Sequence, residues 1–431
     1  MAVIQRVKHL VFDLFYILSV PVLFFYVLFS PKSRDTLIWG TTPIINNKYW
    51  SDAMKGAGYR SCTFMDGFLS INKKSDFDLY LQDTVPRFFV GPLKDMTKNI
   101  FAMCYVVRHA SVLHMSFYGG PLGDTVIWKL EALLLKMARI KVIIIPYGSD
   151  AYRYSSLSDA LLKTGLLLSY PDAARKETEI AEHVEYWVRY ADIILTGYMF
   201  EGIGRWDVTL PQVLCINTHI WSPKITYSQN DGQNGVVRIL HTPNHRGFKG
   251  TEFLIDAVEK LKNEGLRIEL ILCENLPNDR VREMMGEVDI LAEQFIAPYA
   301  MSGLEGMSSG LPVMTNMSND QYLRVFRLYS YLNECPILST TPETLKENLR
   351  VLVTHPELRE QLGKAGRQYV EKYHSEETAQ YLFGSIYRKI LKGEDVDLMN
   401  LFHPLKSEYN HRKPVIDHPL CENKLPGEYY R

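Results

Sequence analysis

The six cysteines, Cys62, Cys104, Cys215, Cys273, Cys335 and Cys421, are widely spaced and form no CxxC pair. That excludes the usual zinc-site and disulfide-framework patterns. Most sit in apolar runs and read as buried thiols of a reducing compartment. The formal net charge is −1 and no block of basic residues stands out, so the electrostatic footprint of a nucleic-acid binder is missing. No internal repeat of solenoid length occurs. Nothing resembling a DxD metal motif sits at a convincing position.

What is present is ordinary globular material in quantity. Of 431 residues, 46% are hydrophobic and 23% charged. That length exceeds what one core usually organises, so two domains are expected.

Near the start, Leu10 to Ser30 holds 17 apolar or aromatic residues in 21. A spanning helix needs about 20 such residues. No small-residue cleavage site follows, which argues against a signal peptide. Pro21 removes a helical hydrogen bond and is expected to kink the helix, and Ser19 can help satisfy freed backbone groups. Arg6 and Lys8 precede the run; Lys32 and Arg34 follow it. Cations at both ends favour both ends on the cytoplasmic side. With its Phe12-Asp13 pair and Ser19-Val20-Pro21, the segment resembles the re-entrant helix of monotopic phosphoglycosyl transferases. Re-entrant and spanning topologies both remain open, as does a buried core helix.

From Asp35 the chain alternates short apolar runs with longer helical patterns. Leu37–Trp39, Cys62–Phe64, Val112–Met115, Val142–Ile145 and Ile193–Leu195 read as strands buried on both faces, which argues for a parallel sheet. A helix is expected over Val126–Ala138. A second series starts near Val236: strand Val236–Leu240, helix Thr251–Lys262, then strand cores at Ile268–Cys273, Asp289–Leu291 and Leu311–Met314. The polar, Gly- and Asn-rich stretch Tyr227–Gly235 reads as the interdomain linker. The expected organisation is a membrane helix (1–34), a first Rossmann-like domain (35–226), a second (227–391) and a proline-rich tail (392–431) that wraps the surface and is expected to reach back to the first domain. Two such domains face each other across a cleft at the carboxyl ends of their strands.

Two motifs in the second series carry chemistry. His241-Thr-Pro-Asn-His-Arg246-Gly-Phe-Lys249-Gly250-Thr251 follows a strand and precedes a helix. A turn there offers backbone N–H groups and a helix dipole to an anion, and Arg246 and Lys249 add the charge a diphosphate needs. A solvated basic turn would look the same. About 60 residues on, Met301-Ser302-Gly303-Leu-Glu305 opens a helix and leads to Gly310-Leu-Pro-Val313. Ser302 and Gly303 can present amides to phosphate, and Glu305 can accept hydroxyl hydrogen bonds from a ribose. His241 and His245 are expected to make local hydrogen bonds rather than bind metal. In the first domain, Asp150 of Pro146–Ala151 lies just past a strand end, where an acceptor-hydroxyl role and a plain helix N-cap compete. His109 and His114 are expected in the core or lining the cleft, and Gly40-Thr-Thr-Pro43 there too.

In this order and spacing, the two motifs resemble the C-terminal domain of the family-four, retaining glycosyltransferases. The likeness runs from about Val236 to Leu391, including Leu358–Val370, Tyr373-His-Ser-Glu and Ile386-Tyr. It implies a GT-B fold, with Arg246 and Lys249 holding the donor diphosphate and Glu305 the nucleotide ribose. The nucleotide sugar is a substrate, so no cofactor is implied. The family places another Glu eight positions before Glu305; here that position is Ala297, and Glu293 is out of register. The reading that results is a metal-independent, retaining glycosyltransferase on the cytoplasmic face of a membrane, acting on a lipid-linked or membrane-near glycan. Two alternatives stand beside it: a nucleotide-sugar 2-epimerase, and a non-catalytic glycosyltransferase-like subunit bound to a partner enzyme.

Overall fold

Strands buried on both faces must find helices for both sides, and short β-runs separated by helical stretches can do so only by parallel crossover. A computed structural model shows this arrangement twice. It describes residues 2–69, 72–274, 276–412 and 414–430; the side chains of residues 1–9, with the expected basic flank of Arg6 and Lys8, lie outside the description.

The first half begins with α1 (Ala2–Phe29) and continues through β1 (Thr36–Trp39), α2 (Ile45–Gly56), β2 (Arg60–Met65), β3 (Leu79–Tyr80), α3 (Gly91–His109), β4 (Ala110–Met115), α4 (Glu131–Met137), β5 (Lys141–Ile144), α5 (Ala160–Ser169), α6 (Pro171–Arg175), α7 (Glu177–Tyr190) and β6 (Ile193–Ile194). Its sheet is parallel, in the order β3-β2-β1-β4-β5-β6. The second half holds β7 (Val237–His241), α8 (Arg246–Lys249), α9 (Thr251–Asn263), β8 (Ile268–Leu272), α10 (Asn278–Glu287), β9 (Ile290–Gln294), α11 (Met301–Ser308), β10 (Val313–Thr315), α12 (Asp320–Tyr329), β11 (Leu338–Ser339), α13 (Leu345–Thr354), α14 (Pro356–Tyr373) and α15 (Glu376–Lys392). This sheet too is parallel, ordered β11-β10-β9-β7-β8.

In such sheets the strand order reverses once, and ligands bind beyond the carboxyl ends at that point. In the first sheet the reversal lies between β1 and β4, whose following loops meet where the Thr42 and Ser116 hydroxyls are 3.2 Å apart. In the second it lies between β7 and β9. The loops after these two strands carry Arg246 and Ser302.

Several expectations change. The helix expected over Val126–Ala138 is a 3-10 turn (Trp128–Leu130) leading into the shorter α4. The first residue of α4, Glu131, takes the amides of Gly120 and Leu122, which fixes the helix start. The polar stretch Tyr227–Gly235 is bound to the second domain: Arg359 donates to the carbonyls of Ser228 (3.1 Å) and Asn230 (2.5 Å), and Arg267 N donates to Gly232 O. The chain crosses between domains earlier, around Leu214–Asn217. It crosses back at His374–Glu376, so that α15 packs on α2 of the first domain. The tail first reaches the first domain, as expected, Thr209 Oγ1 donating to Met399 Sδ at 2.9 Å, and later returns to the second, where Asn423 donates to the carbonyls of Cys335 and Ile337 and Tyr430 donates to Asn348. All six cysteines are free, and Cys421 is exposed rather than buried.

Helix α1 runs through Pro21 without a break, and the Ser19 hydroxyl donates to Phe15 O at 2.8 Å. A stripe of Tyr16, Ser19, Leu23 and Val27 is buried against the first domain, where α1 packs on α3 and α4. Burying Leu23 and Val27 contributes about 1.5–3 kcal/mol each.

The seam between α15 and the first sheet centres on His114. Its ring stacks on Trp39 with 3.6 Å between centroids. A carbonyl can only accept, so Nδ1 carries the proton shared with Ile38 O (3.0 Å), and Nε2 accepts from Tyr387 OH (2.8 Å). Burial lowers the His114 pKa to about 3, so the ring is neutral. Replacing Tyr387 with Phe would leave Nε2 buried without a donor. The expected loss is about 1–3 kcal/mol of stability in denaturant unfolding; an unchanged unfolding midpoint would show that this seam does not hold α15.

Candidate functional site

The turn after β7 is built so that one cation points inward and the other outward. Helix α8 is a single turn closed by Gly250, whose φ of 72° suits a residue without a Cβ and lets α9 start at once. Lys249, on the inner side, is buried; Arg246, three residues earlier, is exposed.

Lys249 Nζ donates to Ser302 Oγ at 3.1 Å and lies 3.8 Å from Glu293 Oε1. Ser302 Oγ donates to the same Glu293 oxygen at 2.8 Å, and Ala300 N donates to it at 2.9 Å. Glu293 ends β9 and reaches under the first turn of α11. Only glycine at 303 permits this, since a Cβ there would meet Glu293 Oε2 at 2.4 Å. Helix α11 has no side-chain cap on its amino end. The expected Lys249, Ser302 and Gly303 are therefore brought together, with Glu293 as an unexpected member. In sequence it looked merely displaced from Ala297; in space it is the counter-ion of Lys249. Removing either partner of such a buried pair typically costs about 3–5 kcal/mol.

Glu305 lies one turn into α11 and is buried, yet its carboxylate accepts no hydrogen bond among the described residues. Burial raises its pKa to about 8, with the Glu293 charge adding and Lys249 opposing. The same burial lowers Lys249, opposed by the two carboxylates, and raises Glu293, opposed by Lys249. Across the cleft, Tyr49 of α2 is near enough for the Glu305 charge to help raise its pKa, burial being the larger cause. Asn46 of the same helix donates to Met301 Sδ at 3.0 Å.

Arg246 is placed differently. Its guanidinium is paired with Glu252 (2.8 Å) and Glu274 (3.0 Å) on the outer side of the turn. The first domain covers the turn between the two cations: Ser169 Oγ at the end of α5 accepts from Phe248 N at 3.0 Å, and Tyr170 lies against His245. His241 is a structural residue, with Nδ1 donating to Ala292 O (2.6 Å) and Nε2 accepting from Thr251 Oγ1 (2.8 Å). No group of three metal-ligating side chains forms among the described residues.

Asp150 is fully buried and serves the loops. Oδ1 accepts from Tyr147 N (3.0 Å) and Gly148 N (2.9 Å), and Oδ2 from Phe117 N (3.0 Å). It caps no helix; it ties the loops after β4 and β5 together. Burial raises its pKa to about 6 and the three amides oppose that rise. His109 lies against the Ser33 hydroxyl (3.2 Å) at the base of the first sheet.

Between the loop after β6 and the start of α12 is a cavity of about 340 Å³. It is lined by Phe200, Glu201, Trp206, Asn319, Gln321 and Tyr322, with Ser156 and Ser158 at one side. Thr315 Oγ1, at the end of β10, donates to Ala297 O in the loop after β9 at 3.1 Å. Sequence reading missed this cavity, because its walls come from both domains and no single segment carries a motif.

No family model matches the chain and no curated protein matches its sequence. In structure it is similar to an α-glucosyltransferase solved with UDP and a 13-mer DNA containing a central A:G mismatch, at 12% identity over 83% of this chain and 99% of that one, TM-score 0.50. Starch synthase IV from Arabidopsis thaliana, its catalytic domain bound to ADP and acarbose, aligns at 8% identity over 84% and 100%, TM-score 0.45. A putative UDP-N-acetylglucosamine 2-epimerase from Listeria monocytogenes aligns at 12% identity over 84% and 98%, TM-score 0.41. The first likeness shows the fold: two Rossmann-like domains facing across a cleft, the GT-B arrangement.

The Glu305 geometry has a pH consequence. Its folded pKa of about 8 lies above the ordinary 4.5, so its contribution to stability is present below pH 4.5 and is lost as pH rises through about 8. Without ligand, Glu305→Gln should match the wild type in thermal unfolding at about pH 5 and melt higher than it at about pH 9. A variant less stable at both pH values would mean that a protein donor holds Glu305.

Proposed function

We propose that this chain moves a sugar from a nucleotide-sugar donor to a hydroxyl of a lipid-linked or membrane-near glycan. The observation that carries the reading is the pairing of a buried Lys249–Ser302–Glu293 cluster with a buried, unpartnered Glu305 carboxylate at the switch point of the second sheet. A diphosphate needs a fixed cation and free amides; a ribose needs a carboxylate to receive its hydroxyl hydrogens. The site offers both, one helical turn apart.

In the reaction, the bond between the sugar's anomeric carbon and the diphosphate oxygen breaks, the acceptor oxygen bonds to that carbon, and the acceptor hydroxyl's proton passes to the departing diphosphate. Charge grows on the leaving diphosphate. Lys249 is fixed to receive it, and preorganised charge of this kind lowers the barrier. Arg246 joins by leaving its two surface carboxylates for the phosphate, an exchange of exposed ion pairs that costs little. Ser302 offers its backbone amide at the start of α11, the Gly303 amide being engaged with Ala300 O at 3.1 Å. Asp150 is a positioning residue, holding the cleft loops after β4 and β5. Retention of configuration and independence from metal rest on the family resemblance and on the lack of a DxD motif in the sequence.

The cavity lined by Trp206, Tyr322, Glu201 and Gln321 suits the acceptor. Aromatic faces beside carboxylate and amide groups match the alternating apolar and hydroxyl surfaces of a sugar ring.

Two measurements test this. In thermal shift with a panel of nucleoside diphosphates, one should stabilise the wild type and fail to stabilise Lys249→Met, with Arg246→Ala weakened; no stabilisation by any nucleotide would sink the donor site. In transfer assays, Trp206→Ala should raise the acceptor KM about tenfold, equivalent to about 1.4 kcal/mol of lost contact, with the donor KM unchanged. An unchanged acceptor KM would remove the cavity from the reaction.

A further inference from the structure

A core helix of a soluble domain is covered on all sides, but α1 is not. Leu23 and Val27 are 1% exposed, whereas Leu18 is 67%, Phe25 65% and Phe29 69% exposed. Its outer face is an apolar surface with no protein against it among the described residues, and Phe25 and Phe29 pack on each other there, 4.6 Å between centroids. Phe88 and Val90, just before α3, add a second exposed apolar group on the helix that α1 packs against.

The carboxyl end of α1 carries a different signal. α1 and α3 finish together, Ser33 N donating to Arg108 O at 2.9 Å. Four cations gather there. Lys32 and Arg34 are near enough to each other and to Arg139 for mutual repulsion to lower the pKa of the first two, burial being the larger cause. The Arg108 charge reaches Tyr26 of α1. None of the four has a carboxylate partner among the described residues, and Arg34 Nε is buried without a hydrogen-bond acceptor. The neighbouring acid, Asp35, is engaged with Arg60 at 2.5 Å. The attraction of a helix carboxyl end for cations acts within its last turn; that accounts for Arg108 in the last turn of α3 but not for Lys32 and Arg34, since the last turn of α1 contains no basic residue.

A span across the bilayer is incompatible with this packing. To cross, α1 would have to strip Tyr16, Leu23 and Val27 from α3 and α4, or draw those helices into hydrocarbon. Resting on the membrane reading above, we propose that α1 lies flat in the headgroup layer of an anionic membrane, its outer face toward the acyl chains and Lys32, Arg34, Arg108 and Arg139 on lipid phosphates. The apolar face and the unpaired cations beside it are the two components of an interfacial helix. The protein then occupies one leaflet, with both termini on the same side.

The test is flotation of the purified full-length chain with vesicles of phosphatidylcholine alone or mixed with phosphatidylglycerol. Binding should require the anionic lipid and fall with added salt. A double variant, Lys32→Gln with Arg139→Asn, should weaken it about thirtyfold; both residues lie outside the donor site, so the nucleotide-induced thermal shift stays intact. Asn accepts the positive φ of position 139 (57°). Leu18→Asp should release the protein from the anionic vesicles. An N-terminal tag should remain open to protease added outside the vesicles. Equal, salt-insensitive binding to neutral vesicles, or a protected tag, would overturn the proposal. A wild type that binds no nucleotide would sink the donor-site reading and leave the lipid result standing.

Discussion

Everything at the cleft depends on how the two crossings of the chain between its domains are fastened to each other. Ile216 N donates to His374 O, and His374 Nδ1 donates back to Leu214 O, both at 2.8 Å. Asn217 is held by Glu376 at 2.9 Å. Burial lowers the His374 pKa to about 4, so the ring stays neutral, and its Nε2 faces the Tyr299 hydroxyl at 3.3 Å. Tyr299 O in turn accepts from Tyr198 OH and Gln212 Nε2 of the first domain. The next residue is Ala300, whose amide binds Glu293. The hinge and the Lys249 cluster are thus linked through one tyrosine, and the spacing of the two sheets is set by neutral, buried hydrogen bonds that salt does not screen.

The cluster itself is electrostatically unfinished. One buried cation faces two buried carboxylates, and only Glu293 is within hydrogen-bonding reach of donors. Near neutral pH, Glu305 relieves the excess by keeping its proton. Hydroxyl donors from a ligand would stabilise its charged form, and a diphosphate near Lys249 would favour the proton. A nucleotide brings both effects to neighbouring points, so its binding need not be strongly pH-dependent even though the empty site is.

Much of the fold was legible because strands buried on both faces leave unbroken apolar runs: Leu37–Trp39 and Val112–Met115 lie wholly in strands, and Val142–Ile145 does so up to Ile144. Of the three two-residue edge strands, β6 was marked by its apolar run Ile193–Leu195, whereas β3 and β11 were not legible, since Leu79-Tyr80 and Leu338-Ser339 form no apolar run of their own. The side of α15 facing Trp39 and His114 reads as an amphipathic helix, but amphipathicity does not say which domain it covers. The Rossmann connection was legible for Lys249 and Ser302, because chemistry and chain order coincide there. Glu293 was hidden by the opposite circumstance. Its role depends on residues 295–300 turning back over the end of β9, a path that no spacing rule encodes. At Pro21 the helix continues, and α1 is packed along Tyr16, Leu23 and Val27 on either side of it.

The position of α5 joins these points. Gly165 lies where a Cβ would meet Ile296 at 2.4 Å, so the helix approaches the loop after β9 as closely as backbone allows. Its end holds Phe248 N, in the short turn between the two candidate phosphate-binding cations. The first domain therefore touches the donor turn directly, through an element inserted between β5 and β6. Motion at the hinge would slide α5 along α8, and the contact is made by the Ser169 hydroxyl, aliphatic side chains and the rings of Tyr170, His245 and Phe248, with no ion pair to part. Lys249 and Glu293, which cannot be parted cheaply, both belong to the second domain. The buried charges of the Lys249 cluster lie within one domain, and the α5–α8 contact between the domains contains no ion pair.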